Sequence, residues 1–209
     1  MISINKAVFL DRDGTINIDK DYLYRIQDFE FIPKAPEAMK LLQDAGYKLF
    51  IITNQSGIAR GYYTEDDYKV LNEWLLSTLA DKYDVHITAS YYCPHLPTSH
   101  NGSIVEKYRV DCNCRKPKTA LFERAIKDFD IDLSRSYAIG DKLRDVAICG
   151  RHENFSDIRS GCKGFLVGSK ESDDVIKVVK AGEIENIRYA ESLYEAAVAI
   201  ISSPTVFVL

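Results

Sequence analysis

The sequence of 209 residues lacks several features that mark special classes of protein. No apolar run approaches the ~18 residues that would indicate a membrane span. The first nine residues have neither the basic start nor the long apolar core of a signal peptide. No internal repeat, low-complexity tract or linker is evident. These absences favour a cytoplasmic protein without a membrane partner, folded as one domain over residues 1–209.

An excess of positive charge is also absent, because 27 Lys and Arg stand against 31 Asp and Glu, for a net charge of −4. Surfaces that bind nucleic acid are usually basic, so we expect no nucleic-acid partner. Only five cysteines occur. In a reducing compartment they are more often thiols or metal ligands than disulfides. No apolar stripe is left without an assigned partner, which favours a monomer.

Apolar runs and helical patterns alternate along the chain, which is typical of a parallel α/β sheet flanked by helices. Strands are expected at residues 7–10, 47–52, 87–92, 137–139 and 164–167, with a closing element at 187–189. Helices are expected at residues 36–45, 64–83, 117–126 and 192–201. Open sheets of this kind bind ligands at the carboxyl ends of their strands.

The first strand, Ala7 to Leu10, ends in two carboxylates, Asp11 and Asp13. If extended geometry continues, both lie on one side of the chain with Arg12 opposite. Because crowded carboxylates repel each other, the pair implies a divalent cation, a shared proton or both. The alternative is an ordinary surface turn of the form Asp-x-Asp-Gly.

Two other strand ends also carry polar groups. The turn from Thr53 to Gly61 begins with hydroxyl and amide residues that can bind an anion, or it is simply a glycine-rich loop. Asp141 follows the fourth strand, and we expect it to converge on Asp11 and Asp13 in an oxygen-rich site for Mg²⁺. Three roles remain open for Asp145: a further metal ligand, a hydrogen-bond partner of a metal ligand, or an acidic residue in the first turn of a helix.

A long polar loop, about residues 93–117, contains thiols and an imidazole in two close pairs. They are Cys93, His95, Cys112 and Cys114. This set can fill a tetrahedral Zn²⁺ site of the structural kind and close a loop that has few apolar residues. Free or core thiols are the alternative, and His100 is a competing imidazole. Cys149 and Cys162 have apolar neighbours and are expected to be buried thiols.

Arg115 and Lys116 follow the last cysteine of this loop and precede a helix start, where the helix dipole disfavours cations. An anionic partner is therefore indicated. Together these residues suit phosphoryl transfer. Asp11 would attack phosphorus, and Asp13 would protonate the leaving alkoxide and then activate water. Thr53 and Lys116 would stabilise the phosphoryl oxygens.

Four segments resemble the motifs of the haloacid dehalogenase phosphatase superfamily. They are residues 11–17, the turn that begins at Thr53, Arg115-Lys116-Pro117 and Gly140-Asp141-Lys142. More narrowly, most of residues 5–146 resemble the D-glycero-D-manno-heptose 1,7-bisphosphate 7-phosphatases. The resemblance implies a Rossmann-like sheet with no large cap domain and removal of the 7-phosphate through an aspartyl phosphate. It also implies a cytoplasmic role in making ADP-heptose for lipopolysaccharide or other surface glycans.

The resemblance further implies individual roles. Mg²⁺ would be held by Asp11, the main-chain carbonyl of Asp13, and Asp141. Zn²⁺ would be held by Cys93, His95, Cys112 and Cys114. The expected substrate contacts are Asp19, Lys20, Asp21, Tyr22, Asn54, Gln55, Ser56, Arg115 and Lys142.

Two segments depart from the family pattern and three other functions remain open. A polar insert near residues 98–103 means that the sequence does not show how far the zinc loop extends over the pocket. Residues 150–154 interrupt an expected helix. A histidinol-phosphate phosphatase suits residues 93–97 but not residues 55–61. A phospho-accepting signalling domain has no need of the second acid or of zinc. A phosphatase of nucleic-acid ends fits the motifs but not the charge.

Overall fold

A computed structural model describes residues 5–100, 102–149, 161–169 and 171–202. Its strands are β1 (Ala7–Leu10), β2 (Lys48–Asn54), β3 (Ile87–Cys93), β4 (Tyr137–Gly140), β5 (Lys163–Val167) and β6 (Ile187–Ala190). They form one sheet in the order β3-β2-β1-β4-β5-β6, and every pair is parallel. The expected parallel α/β sheet is confirmed.

The helices cover both faces of this sheet. They are α1 (Ala35–Asp44), α2 (Ser56–Ala59), α3 (Glu65–Tyr83), α4 (Ala120–Phe129), α5 (Asp173–Lys180) and α6 (Leu193–Ser202). Successive strand residues point to opposite faces. Val8 and Leu10 therefore pack with α1, α3 and α6, whereas Ala7 and Phe9 pack with α4 and α5. Burial on both faces explains why the strands are continuous apolar runs.

Most element boundaries agree with the sequence, and the exceptions have local causes. Thr64 caps α3 as expected, in a reciprocal pair with Asp67. Strand β2 runs two residues past its expected end because it stays paired with β3 as far as Asn54. Helix α4 begins at Ala120, three residues after the expected start. Helix α5 was not expected, and Val179 is its one buried residue.

The fold places β1 between β2 and β4, so the residues that follow these three strands share one edge of the sheet. No second sheet that could form a cap domain occurs in the described ranges. None of the described helices is long and apolar enough to cross a membrane. The interruption noted at residues 150–154 lies outside the described residues.

Candidate active site

The chain turns sharply directly after β1. The N–H of Asp11 still donates to the Ile139 carbonyl of β4 at 2.9 Å, but the carbonyl of Arg12 then accepts from the N–H of Ile16 at 2.8 Å. Gly14 has a φ of +88°, and a Cβ there would lie 2.5 Å from Oδ2 of Asp141. Glycine is therefore required both by the turn and by the close approach of Asp141.

Because extended geometry ends at this turn, the expectation that Arg12 points away from Asp13 is wrong. The Arg12 side chain is fully buried and its Nη2 lies 2.8 Å from Oδ2 of Asp13. A second bond joins Nε of Arg12 to Oδ1 of Asp13 at 3.1 Å. The carboxylate that sequence reasoning assigns as acid and base is thus held by its own neighbour.

Lys116 is a second buried cation of the site, with a side chain that is 1% exposed. Its Nζ lies 2.7 Å from Oδ1 of Asp11 and 2.7 Å from Oδ1 of Asp145, and it donates to the Ile52 carbonyl at 2.6 Å. The amide of Asn54 binds both the N–H and the carbonyl of Lys116, at 3.0 and 3.1 Å. The last residue of β2 therefore positions Lys116, and Asp145 is an ion-pair partner of this lysine.

Carboxylate oxygens of Asp11, Asp141 and Asp145 all lie within 4.8 Å of one another and are buried. Burial, followed by repulsion from Asp145, raises the pKa of Asp11 to about 6. Burial and repulsion from Asp11 raise the pKa of Asp141 to about 7. Oδ2 of Asp141 is buried without a hydrogen-bond partner. Lys116 pairs with Asp11 and Asp145 but not with Asp141, so three clustered carboxylates share too little positive charge, and they fit a hard divalent cation such as Mg²⁺.

The Asp13 carboxylate lies outside this cluster, in a network of amides. It accepts from Nδ2 of Asn17 at 3.0 Å and from Nε2 of Gln55 at 2.9 Å. Gln55 also donates to Oγ1 of Thr53 at 2.8 Å and accepts from Oη of Tyr63 at 2.5 Å. Gln55 was expected to contact substrate. Its hydrogen bonds show that it also orients Asp13, the proposed acid, and Thr53, a proposed contact of the phosphoryl group.

A pocket of about 260 Å³ opens over these residues. It is lined by Asp11, Asp13 and Thr53, and by the expected substrate contacts Asp19, Asp21, Tyr22, Asn54, Gln55, Ser56, Arg115 and Lys142. Lys20 is not part of the lining and forms a surface ion pair with Glu30 at 3.0 Å. Sequence reasoning missed Gly57, Arg60, Tyr63 and Arg144. Single arginines in loops carry no motif that could have marked them.

The four expected zinc ligands come together at the end of β3. They are Cys93, His95, Cys112 and Cys114. Their contacts range from 2.9 Å, between Sγ of Cys114 and Cys93, to 3.8 Å, between Sγ of Cys93 and Nδ1 of His95. Tetrahedral Zn²⁺ with bonds of ~2.3 Å needs ligand separations of about 3.8 Å. The donor set is that of a structural zinc site, with separations at or below this value, and His100 is not part of the cluster.

The cysteines inside and outside the cluster differ in their surroundings. None of the five cysteines, all of which lie in the described ranges, forms a disulfide, and Cys149 and Cys162 are buried as expected. Hydrogen bonding from Cys93, opposed by burial, lowers the pKa of Cys114 to about 5. The same contact, together with burial, raises the pKa of Cys93, so Cys114 is the thiol of this pair that is favoured as the thiolate that metals bind.

The loop that contains the cluster packs against helices α2 and α3. Oη of Tyr92 and Oη of Tyr108 both donate to the Glu65 carboxylate, each at 2.5 Å. The N–H of Val105 donates to the Ala59 carbonyl at 2.7 Å. These contacts anchor the loop beside the pocket and leave Arg115, which follows the last cysteine, in the pocket lining.

Comparison with known proteins agrees with this geometry. Residues 6–160 match the protein-family profile described as "Polynucleotide kinase 3 phosphatase". A D-glycero-beta-D-manno-heptose-1,7-bisphosphate 7-phosphatase of Haemophilus ducreyi is 50% identical over 141 residues, which are 68% of this chain and 75% of that protein. The protein of the same name from Escherichia coli K12 is 48% identical over 140 residues, 67% of this chain and 71% of the other.

A solved structure extends the likeness beyond the aligned part. The D,D-heptose 1,7-bisphosphate phosphatase of B. bronchiseptica, complexed with magnesium and phosphate, is 27% identical. It superposes with a TM-score of 0.73 over 94% of this chain and 98% of its own. The chain therefore belongs to the D-glycero-D-manno-heptose-1,7-bisphosphate 7-phosphatase family of haloacid dehalogenase-like proteins.

Proposed function

We propose that this protein is a phosphatase that depends on Mg²⁺ and removes the 7-phosphate of D-glycero-D-manno-heptose 1,7-bisphosphate. The observation that carries the proposal is the buried ion pair of Lys116 and Asp11, 2.7 Å long, beside Asp141 at the base of a pocket. Two relatives about half identical to this chain carry the name of this activity, which supports the substrate.

The chemistry follows from the placement of the carboxylates. Asp11 attacks phosphorus, so that a bond forms between phosphorus and the carboxylate oxygen while the bond to the sugar oxygen breaks. Asp13 gives its proton to that departing oxygen. A water molecule then attacks the same phosphorus while Asp13 takes a proton from that water. The bond between phosphorus and Asp11 breaks, which releases inorganic phosphate and the free Asp11 carboxylate. Thr53 and Lys116 stabilise the charge on the phosphoryl oxygens.

We further propose that both expected metals belong to the protein. Mg²⁺, held by Asp11, the main-chain carbonyl of Asp13, and Asp141, would neutralise charge between the carboxylates and the phosphoryl group. A zinc ion in the cysteine–histidine cluster would be structural, since protein atoms fill all four positions. It would fix Arg115 and Lys116, which follow the cluster in the chain. The cytoplasmic location and the monomeric state stay predictions.

Steady-state phosphate release tests the proposal. The substrates are the α- and β-anomers of the bisphosphate, histidinol phosphate and an oligonucleotide with a 3′-phosphate, each measured with Mg²⁺ and with EDTA. We expect turnover of a heptose bisphosphate anomer with Mg²⁺ only, and ³¹P spectra that show the 1-phosphate retained. Preference for histidinol phosphate or the oligonucleotide would reject the assignment. A single phosphate retained per chain would indicate a signalling domain instead.

Asp11→Asn is the matched control for these assays. It removes the nucleophile but keeps the size of the side chain, so the variant should be folded and inactive on every substrate. Activity that survives this substitution would come from a contaminating phosphatase or from a different nucleophile.

A further inference from the structure

Three arginines from three separate segments line the same pocket. Arg60 follows α2, Arg115 follows the cysteine cluster, and Arg144 lies in the turn after β4. Lys142 adds a fourth cation to the lining. The catalytic steps proposed above use none of these four side chains.

Two of the arginines have unsatisfied donors. Nε of Arg60 and Nε of Arg144 are buried but have no hydrogen-bond partner among the described residues. Among the described carboxylates, the nearest to Arg144 is that of Asp145, whose Oδ1 lies 3.8 Å from Nε, too far for a hydrogen bond. A buried donor without an acceptor is costly, especially on a charged group. Both atoms therefore indicate a missing acceptor.

The arginines are also close enough to repel one another. All three line one pocket of about 260 Å³, where Lys142 adds its charge to theirs. Like charges gathered in a partly buried site are unfavourable unless an anion offsets them. Planar guanidinium groups bind phosphate through paired N–H donors.

We propose that Arg60 and Arg144, together with Arg115, bind the substrate phosphate that is not transferred. The inference rests on the proposed function, because it assigns a place to the second phosphate of a bisphosphate. In this role Arg60 and Arg144 determine specificity, because they bind the phosphate that stays on the sugar. They select substrates that carry a second anionic group.

The test compares the heptose 1,7-bisphosphate with the heptose 7-phosphate, which lacks the second anion. The variants are Arg60→Gln, Arg144→Gln and the double substitution. Arg124→Gln is the control, since Arg124 is an exposed arginine of α4 that pairs with Asp128. Each pocket variant should lose about 10- to 100-fold in kcat/KM on the bisphosphate, mainly through KM. On the 7-phosphate, wild type and variants should agree within about twofold.

Equal losses on both substrates would overturn the inference, because they would show that the arginines only maintain the site. Unchanged kinetics on the bisphosphate would overturn it as well. A wild-type protein that hydrolyses neither heptose phosphate would refute the proposed function, and the inference would fall with it. The control variant should behave as wild type throughout.

Discussion

Replacing Lys116 by Met should destabilise the magnesium-free protein strongly. The lysine side chain is 1% exposed, and its two ion-pair partners, Asp11 and Asp145, are 9% and 1% exposed. Methionine fills similar space but leaves these carboxylates without their cation. Breaking a buried ion pair on one side costs about 3–5 kcal/mol. For a chain of this length each kcal/mol lowers Tm by about 2–4 °C, so a fall of about 6–20 °C is expected.

Thermal unfolding without Mg²⁺ but with the zinc retained, followed by circular dichroism, measures this effect. A double variant that adds Asp145→Asn removes one of the stranded charges and should recover part of the lost Tm, because directly interacting groups are not additive. Lys69→Met is the control, since that lysine forms an exposed pair with Asp66 and should leave Tm unchanged. A Lys116→Met protein as stable as wild type, or a double variant less stable than Lys116→Met, would refute the reasoning.

Three other predictions concern the metals and the acid. In the folded chain the pKa is about 6 for Asp11 and about 7 for Asp141, against an ordinary value of 3.8. Because the folded state therefore binds more protons than the unfolded state, the metal-free protein should lose stability as pH rises from about 4 through 7. Asp141→Asn should flatten this profile and abolish the rise of Tm with Mg²⁺, whereas an unchanged profile would contradict the cluster. Elemental analysis should find about one zinc per chain, and Cys112→Ser should lose it together with stability; a fully active zinc-free variant would refute the structural role. Gln55→Leu should lower kcat/KM about 10- to 100-fold on an alkyl phosphate. The loss should be much smaller on p-nitrophenyl phosphate, because its leaving group needs no acid. Equal losses on both substrates would show that Gln55 does not orient Asp13.

The sequence was sufficient for the parts of the site that lie at strand ends. Apolar runs that stop at Asp11, near Thr53 and at Asp141 predicted both the parallel sheet and the edge where these residues meet, because parallel strands align their carboxyl ends. The cluster of Cys93, His95, Cys112 and Cys114 was also predicted, but spacing left His100 as a competing imidazole, and the fold brings His95 to the thiols instead.

What the sequence could not supply was the direction of side chains beyond the strands. Arg12 turns onto Asp13 because the backbone folds back at Gly14, which strand periodicity cannot show. The choice of Lys116 as the partner of Asp145 depends on a contact between residues 29 positions apart, with no local pattern. Arg60 and Arg144 were missed for the same reason, since their shared pocket exists only after the sheet brings three loops together.

The central claim is that the Asp11 carboxylate forms a covalent bond to phosphorus, and trapping that species tests it most directly. The protein, mixed with the heptose bisphosphate and Mg²⁺, is quenched within milliseconds and reduced with borohydride, which converts an aspartyl phosphate to homoserine. Mass spectrometry of the peptides should show homoserine at position 11, and none in a sample without substrate. Homoserine at position 13 or 141, or intact Asp11 in a protein that turns over, would contradict the account.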